Sequence, residues 1–291
     1  MALGAENPRE GRPRVSRRLL SIGISLACLV LVLVFLLALF PYGRFRDVAV
    51  SRLAGATGAS VSLDDLGGGL SIGGPVLVAT NLRFGWPDGR ELLLERARVR
   101  PAWSFSWLRG EPALHLKMNG PAGSADGTVQ QNPGLAFAGR VRGVELALLP
   151  LDQLVDPLPI LGRLDAEIDL RTGPTGPTGS IRFQTWDGSI ALPQLPFGIP
   201  FQEARGAVER SESGFINIRE FELDGPMLSG TAQGSITKSG RSQEGTLDLE
   251  CELVVPDPAV RDMIRPYGLQ FDAQGAARFH LSGTTSRPVL R

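Results

Sequence analysis

The sequence has little of what metalloproteins and disulfide-stapled proteins need. Among 291 residues there are two cysteines and two histidines. Cys28 lies inside a long apolar run and Cys251 in an alternating segment, so a bridge between them is sterically implausible. His115 and His280 each stand between apolar neighbours, which places both imidazoles on the polar face of a strand. No cluster of Cys or His has metal-ligand spacing, so the sequence predicts neither a metal site nor a cofactor.

Net charge is also lacking, since 30 basic residues balance 30 acidic ones. Acidic and basic residues are mixed along the chain, and no basic segment interleaved with aromatics follows the N-terminus, so nucleic acid is not an expected partner. The apolar fraction of 43% is too high for a disordered chain. The 36 glycines and 22 prolines are therefore interpreted as turn residues of a folded domain.

What the sequence does contain is one uncharged, mostly apolar run over residues 19–40, long enough for a membrane-spanning helix. The run ends in Phe40 and Pro41 without a small-residue cleavage site, which favours a retained signal anchor over a removed signal peptide. Arginines before the run place residues 1–18 in the cytoplasm, although Arg44, Arg46 and Arg52 weaken the asymmetry. The residues predicted to form the membrane anchor include Leu19, Leu20, Leu29, Leu33, Phe35 and Phe40.

After a juxtamembrane helix or linker over residues 41–58, the hydrophobic period becomes two. Leu164, Ala166, Ile168 and Leu170 alternate with charged residues, as Leu247, Leu249, Cys251 and Leu253 do further on. Such segments are half-buried strands, and no strand-helix-strand rhythm occurs. The sequence therefore predicts a mainly β domain over residues 59–291, an antiparallel meander of about a dozen strands, with a lobe boundary near residues 150–164.

Helical signals are few and short. One covers residues 149–156, and the other covers residues 258–267, where Ala259, Met263 and Ile264 are predicted to form one apolar side.

Three short motifs with chemical associations fail in their context. Residues 69–73 match G-x-S-x-G, but β-prone residues follow where a serine hydrolase needs a helix, so a hairpin turn is predicted. Asp165, Glu167 and Asp169 share a strand face, as do Asp248, Glu250 and Glu252, and both trios are interpreted as solvated faces balanced by basic neighbours. The chain is accordingly predicted not to be an enzyme.

Large apolar side chains are the remaining candidates for function. Trp103, Phe105 and Trp107 alternate with serines and share one strand face. They form part of the core, a docking surface for a partner, or the lining of a groove for acyl chains. The full predicted groove or docking face comprises Trp103, Phe105, Trp107, Leu164, Ile168, Leu247, Leu249 and Phe279.

The order of these elements resembles the type II secretion system protein N (GspN) family, in its form from delta-type proteobacteria, which is similar to the AsmA-like envelope proteins. The resemblance lies in Arg17-Arg18 with the following span, the Thr57-Gly58-Ala59-Ser60-Val61 step, residues 98–101 leading to residues 108–112, residues 162–166 and the closing residues 281–290. It covers nearly the whole chain, and its weight comes from the order of the motifs.

The resemblance implies a single-pass, non-enzymatic accessory component of the type II secretion machine in the cell inner membrane. The β domain would be periplasmic and would contact other secretion subunits. The AsmA-like side implies a long, curved sheet with an apolar concave face suited to phospholipid acyl chains. Lipid binding or transfer is thus the alternative function. A closed sandwich would favour the first function and an open trough the second.

Overall fold

A computed structural model describes residues 24, 25, 28, 31, 32, 35, 39, 41–71, 74–102, 110–131, 134–149, 160–173, 176–191, 198–238, 245–284 and 287–291. Two compact units are present, Met1–Tyr42 and Gly43–Arg291. In the first, Phe35 is helical and exposed, whereas Leu19, Leu20, Leu29, Leu33 and Phe40 of the predicted anchor lie outside the described residues. Among the helices that can be described, none has the length and apolar character needed to cross a membrane.

The second unit is mainly β. Its first helix, α1 (Tyr42–Thr57), starts at the last residue of the first unit, and a second helix, α2 (Pro258–Ile264), lies between the twelfth and thirteenth strands. Single 3-10 turns cover Leu146–Leu148 and Arg265–Tyr267. The strands are β1 (Ser60–Ser71), β2 (Gly74–Gly85), β3 (Glu91–Pro101), β4 (Ala113–Gly120), β5 (Gly123–Gln131), β6 (Leu135–Glu145), β7 (Ile160–Gly173), β8 (Gly176–Ala191), β9 (Gly198–Arg210), β10 (Phe215–Asp224), β11 (Ser229–Lys238), β12 (Gly245–Val254), β13 (Ala276–Thr284) and β14 (Arg287–Leu290).

All 14 strands form one antiparallel sheet in which each strand pairs with the next along the chain. The predicted antiparallel meander is therefore confirmed. Pairing also continues across the predicted lobe boundary, where β6 pairs with β7 from Ala136 opposite Arg171 to Glu145 opposite Arg163. Of the helix predicted at residues 149–156, positions 150–156 lie outside the described residues.

Glycine-rich hairpins join several of the strands. β1 ends at Ser71 and β2 begins at Gly74, and the Ser71 hydroxyl donates to the Gly74 carbonyl at 3.2 Å. The described part of the G-x-S-x-G motif, Gly69 to Ser71, is thus the end of a strand that pairs with β2 in a hairpin, as predicted. Gly173 pairs with Gly176, so a second hairpin joins β7 and β8.

Helix α2 begins where the sequence predicts. The Asp257 carboxylate accepts a hydrogen bond from the Ala259 amide at 2.9 Å, and Pro258 occupies the first turn. The predicted apolar side was right for Ile264 and wrong for Ala259 and Met263: Val260 and Ile264 are the buried pair, and Met263 is 44% exposed. Val260 and Ile264 are one helical turn apart and face the sheet together. Positions 259 and 263 lie about 100° away from them around the helix axis and therefore do not pack on the sheet.

Two hydrophobic clusters lie along the same rim of the sheet, the rim at which β1 begins. Under α1, Ala59, Leu82, Phe84 and Trp86 are buried, and Leu53 of the helix packs against them. Under α2, Val255 is surrounded by buried residues of β9, the turn after β10, and the helix: Ile199, Leu228, Val260 and Ile264. The helices therefore act as covers at two places along one rim.

Candidate functional site

Strand register sorts the side chains onto two chemically different faces. Since successive side chains point to opposite faces, residues paired across strands share a face. One continuous row is entirely apolar or glycine and consists of Gly68, Leu77, Val99, Leu116, Gly127, Gly139, Ile168, Ile181, Val208, Ile218, Gly234, Leu249, Leu281 and Leu290. The row crosses every strand of the sheet.

A second row of the same kind lies beside the first. It consists of Leu66, Ala79, Ala97, Met118, Ala125, Val141, Ala166, Phe183, Gly206, Phe221, Ala232, Cys251 and Phe279. We call these two rows and their flanking residues the apolar face. In a flanking row near the strand ends, the charged residue Arg210 pairs with Ile216. The buried Thr185 hydroxyl donates a hydrogen bond to the Ala204 carbonyl at 3.2 Å.

Five of the eight residues predicted for the groove or docking face lie on the apolar face. Ile168 and Leu249 belong to the first row and Phe279 to the second, while Leu164 and Leu247 lie in flanking rows. Leu247 and Leu249 are buried and the other three are half-buried. Trp103, Phe105 and Trp107 lie outside the described residues. No second sheet packs on this face within the part of the chain that the structure describes.

Aromatic rings of the apolar face lie over glycines of neighbouring strands. A Cβ at Gly206 would come within 2.8 Å of the Phe183 ring, and one at Gly127 within 2.9 Å of the Phe137 ring. Phe183 also approaches Phe221, with ring centroids 6.4 Å apart. The rings therefore cover the exposed glycine backbone, a pairing that alternation in one strand could not predict because the partner glycine belongs to another strand.

The two rims of the apolar face differ. The rim at the start of β1 carries α1, α2 and the two buried clusters. At the opposite rim, Leu70, Leu114 and Leu135 are 50%, 43% and 56% exposed. Among the described residues, apolar side chains thus remain accessible from one rim.

The opposite face of the sheet is charged, and cross-strand ion pairs run along it. Arg140 contacts Glu167 at 2.8 Å, and Arg278 contacts Glu252 at 3.2 Å. His280 lies 3.0 Å from Asp248 and His115 lies 3.4 Å from Asp126. Both histidines are therefore on the polar face, as predicted. Of the two acidic trios, Glu167, Asp248 and Glu252 have basic neighbours, while Asp165 accepts from the Gly143 amide and Glu250 from the Gln233 side chain.

The charged face also holds clefts between its side chains. One of about 590 Å³ lies over β10–β14 and is lined by Arg219, Glu222, Glu250, Glu252, Arg278 and His280. Most of these groups pair with one another or with strand neighbours, and a hydrogen bond with Glu222 raises the pKa of Arg205 beside them. We interpret this cleft as a gap between long side chains that form ion pairs, since no reactive group converges on it.

Reactive groups are scarce in the described part of the chain. No three His, Cys, Asp or Glu residues there are arranged to hold a metal ion. Cys251 is half-buried on the apolar face, and burial raises the pKa of its thiol. A thiol kept protonated among apolar neighbours is a poor nucleophile, so its placement suits packing rather than catalysis.

Comparison of the chain with protein-family models, curated proteins and solved structures returned no match. The apolar face itself is therefore the feature from which a function has to be inferred.

Proposed function

We propose that this chain is a non-enzymatic envelope protein that binds the acyl chains of lipids on the apolar face of its sheet. The observation that carries the proposal is the apolar row that crosses all 14 strands. Monomeric soluble proteins rarely expose continuous apolar surface beyond a few hundred Å², and larger surfaces mark binding sites. Residues 19–40 would anchor the chain in the inner membrane, with the sheet on the periplasmic side.

The dimensions of the sheet support a hydrocarbon ligand. Strands lie about 4.8 Å apart, so the apolar row extends about 60 Å. One acyl chain spans about 15 Å, half the thickness of a bilayer core, and would cover about three strand spacings. Each buried CH₂ contributes about 0.8 kcal/mol, which makes a single chain a sufficient ligand for such a surface. A sheet of this length would not cross the periplasm unaided.

Half-burial of the apolar residues also supports a ligand over a completed core. Ile168, Ile181 and Val208 are half-buried, although core residues of a two-layer domain are usually buried almost completely. Leu70, Leu114 and Leu135 provide an accessible rim through which a chain could enter.

A charge on the apolar face should remove the lipid. We expect Ile181→Glu in the full chain to reduce co-purifying phospholipid about 100-fold, since a carboxylate in a hydrocarbon environment costs about 3 kcal/mol. The measurement is mass spectrometry of the extracted lipid, with circular dichroism to verify folding. Arg182→Glu is the matched control, because Arg182 is the next residue and lies exposed on the charged face. Equal lipid in all three proteins would contradict lipid binding at this face.

Cys251 distinguishes lipid on the apolar face from lipid around the anchor. In a Cys28→Ser background, phospholipid should slow maleimide labelling of Cys251, because an acyl chain over the second row covers the thiol. A Gln233→Cys probe in a variant that also lacks Cys251 should label at the same rate with and without lipid, since Gln233 is exposed on the charged face. Lipid that leaves Cys251 labelling unchanged would count against the proposal.

A second candidate is an accessory role in the type II secretion machine, which the ordered motifs around Arg17-Arg18, residues 98–101 and residues 281–290 favour. Deleting the gene should then leave secreted enzymes trapped in the periplasm, measured by their activity in culture medium and in periplasmic extract. Complementation with the intact chain is the control. Undiminished secretion by the deletion strain would dismiss this candidate while leaving lipid binding to its own test.

A further inference from the structure

On the charged face, cations are concentrated on four neighbouring strands, β3–β6. Three adjacent cross-strand rows, which contain Arg96, Arg98 and Arg100 of β3, hold six cationic side chains and one carboxylate, Asp126, over these strands. We call the six cations the basic patch: Arg96, Arg98, Arg100, Lys117, Arg140 and Arg142. Strand spacing of about 4.8 Å and same-face spacing of about 7 Å put them within an area about 15 Å on a side.

Most of the basic patch is not neutralised. Arg140 pairs with Glu167, and Lys117 reaches Asp126 at 3.9 Å. By contrast, the four remaining arginines, which are Arg96, Arg98, Arg100 and Arg142, form no ion pair with a carboxylate of the described residues. Arg96, Arg98 and Arg142 are exposed and Arg100 is half-buried.

The same three rows are acidic where they reach β10–β12. There they hold Glu220, Glu222, Asp248, Glu250 and Glu252, which we call the acidic patch, and one cation, Arg219. The centres of the two patches are about 30 Å apart, several times the screening length of about 8 Å at physiological salt. The two patches therefore do not neutralise each other. Within the acidic patch, however, Glu222 pairs with Arg205, Glu252 with Arg278 and Asp248 with His280, so three of its five carboxylates have a basic partner, whereas four of the six cations of the basic patch have no carboxylate partner in the described part of the chain.

We propose that the basic patch docks on the surface of an anionic bilayer. A bilayer of anionic phospholipid is an extended negative surface, which matches cations spread over four strands better than a single small anion would. Each cation held near such a surface strengthens binding about fivefold. A chain anchored beside the bilayer needs only this modest affinity, since tethering makes the local concentration high.

The test is arginine modification by phenylglyoxal, read by mass spectrometry, on the full chain with vesicles. With phosphatidylcholine mixed with phosphatidylglycerol, modification of Arg96, Arg98 and Arg100 should slow at least about tenfold relative to phosphatidylcholine alone. Salt at about 1 M should abolish the difference, since the screening length falls to about 3 Å. Arg219 and Arg278 on the acidic half are the internal control and should react at the same rate with both lipids.

A variant pair checks that the patch itself is the cause. Changing Arg96, Arg98 and Arg100 together to Gln should return Arg142 to its rate in phosphatidylcholine vesicles. Changing Arg205, Arg219 and Arg278 together to Gln should leave Arg142 protected, although the number of charges removed is the same. Equal modification rates of Arg96, Arg98 and Arg100 with both lipids would overturn the proposal, and this is the result expected if the natural occupant is an acidic protein. Equal slowing at Arg219 and Arg278 would overturn it as well.

Discussion

Replacing Gly234 with valine should lower the free energy of unfolding by about 3–5 kcal/mol. Gly234 lies in the first apolar row with φ +140, a backbone conformation that side-chain-bearing residues rarely adopt. A Cβ there would lie 2.1 Å from the Asp248 carbonyl oxygen and 2.8 Å from the Leu249 Cα. Both atoms are backbone of β12, so β11 and β12 would have to separate to accommodate the side chain.

Gly67→Val is the matched control, since Gly67 also lies in a strand but has no atom within 4 Å of the position of a Cβ. Its effect should stay within about 0.5 kcal/mol. Urea unfolding followed by tryptophan fluorescence measures both variants. If the two midpoints shift equally, the close approach at Gly234 is not the source of the effect.

Replacing Val255 with aspartate should destabilise the protein by at least about 4 kcal/mol. Val255 has 0% exposure and sits between Leu228 of the turn after β10 and Val260 and Ile264 of α2. A carboxylate at this position would lose its hydration in an apolar cluster, and α2 would separate from the rim.

Val289→Asp is the control for Val255→Asp, because Val289 is 47% exposed on β14 and a carboxylate there keeps its water. Its effect should stay below about 1 kcal/mol. Thermal unfolding compared at one pH measures the pair. Similar losses in both variants would show that the cluster under α2 contributes little to stability.

Alternation within single strands was sufficient to predict much of the fold. The pattern of Leu164, Ala166 and Ile168 with charged neighbours predicts a half-buried strand, because a period of two places the two sets on opposite faces. Turn chemistry predicted the hairpin at residues 69–73, and Pro258 marked the start of α2. These features depend on residues close together in the chain, which is why one sequence suffices for them.

Features that depend on neighbouring strands could not be predicted in the same way. The buried side of α2 was predicted only in part, because Met263 and Ile264 are both apolar and only the position of the rim determines which one packs. The rings of Phe137 and Phe183 lie over glycines of other strands, and nothing local to either phenylalanine indicates this. The basic patch was missed for the same reason. Its cations belong to β3, β4 and β6, and they come together only when β3–β6 align.

From the sequence alone, the chain is determined to be mainly β, with strands that carry one apolar and one charged side. The local backbone period is enough for that conclusion. The register across the 14 strands decided that the apolar sides join into one continuous row and that the cations of β3, β4 and β6 collect in one patch of the other face. Register arises from cross-strand hydrogen bonds between residues distant in the chain, so no single strand contains that information.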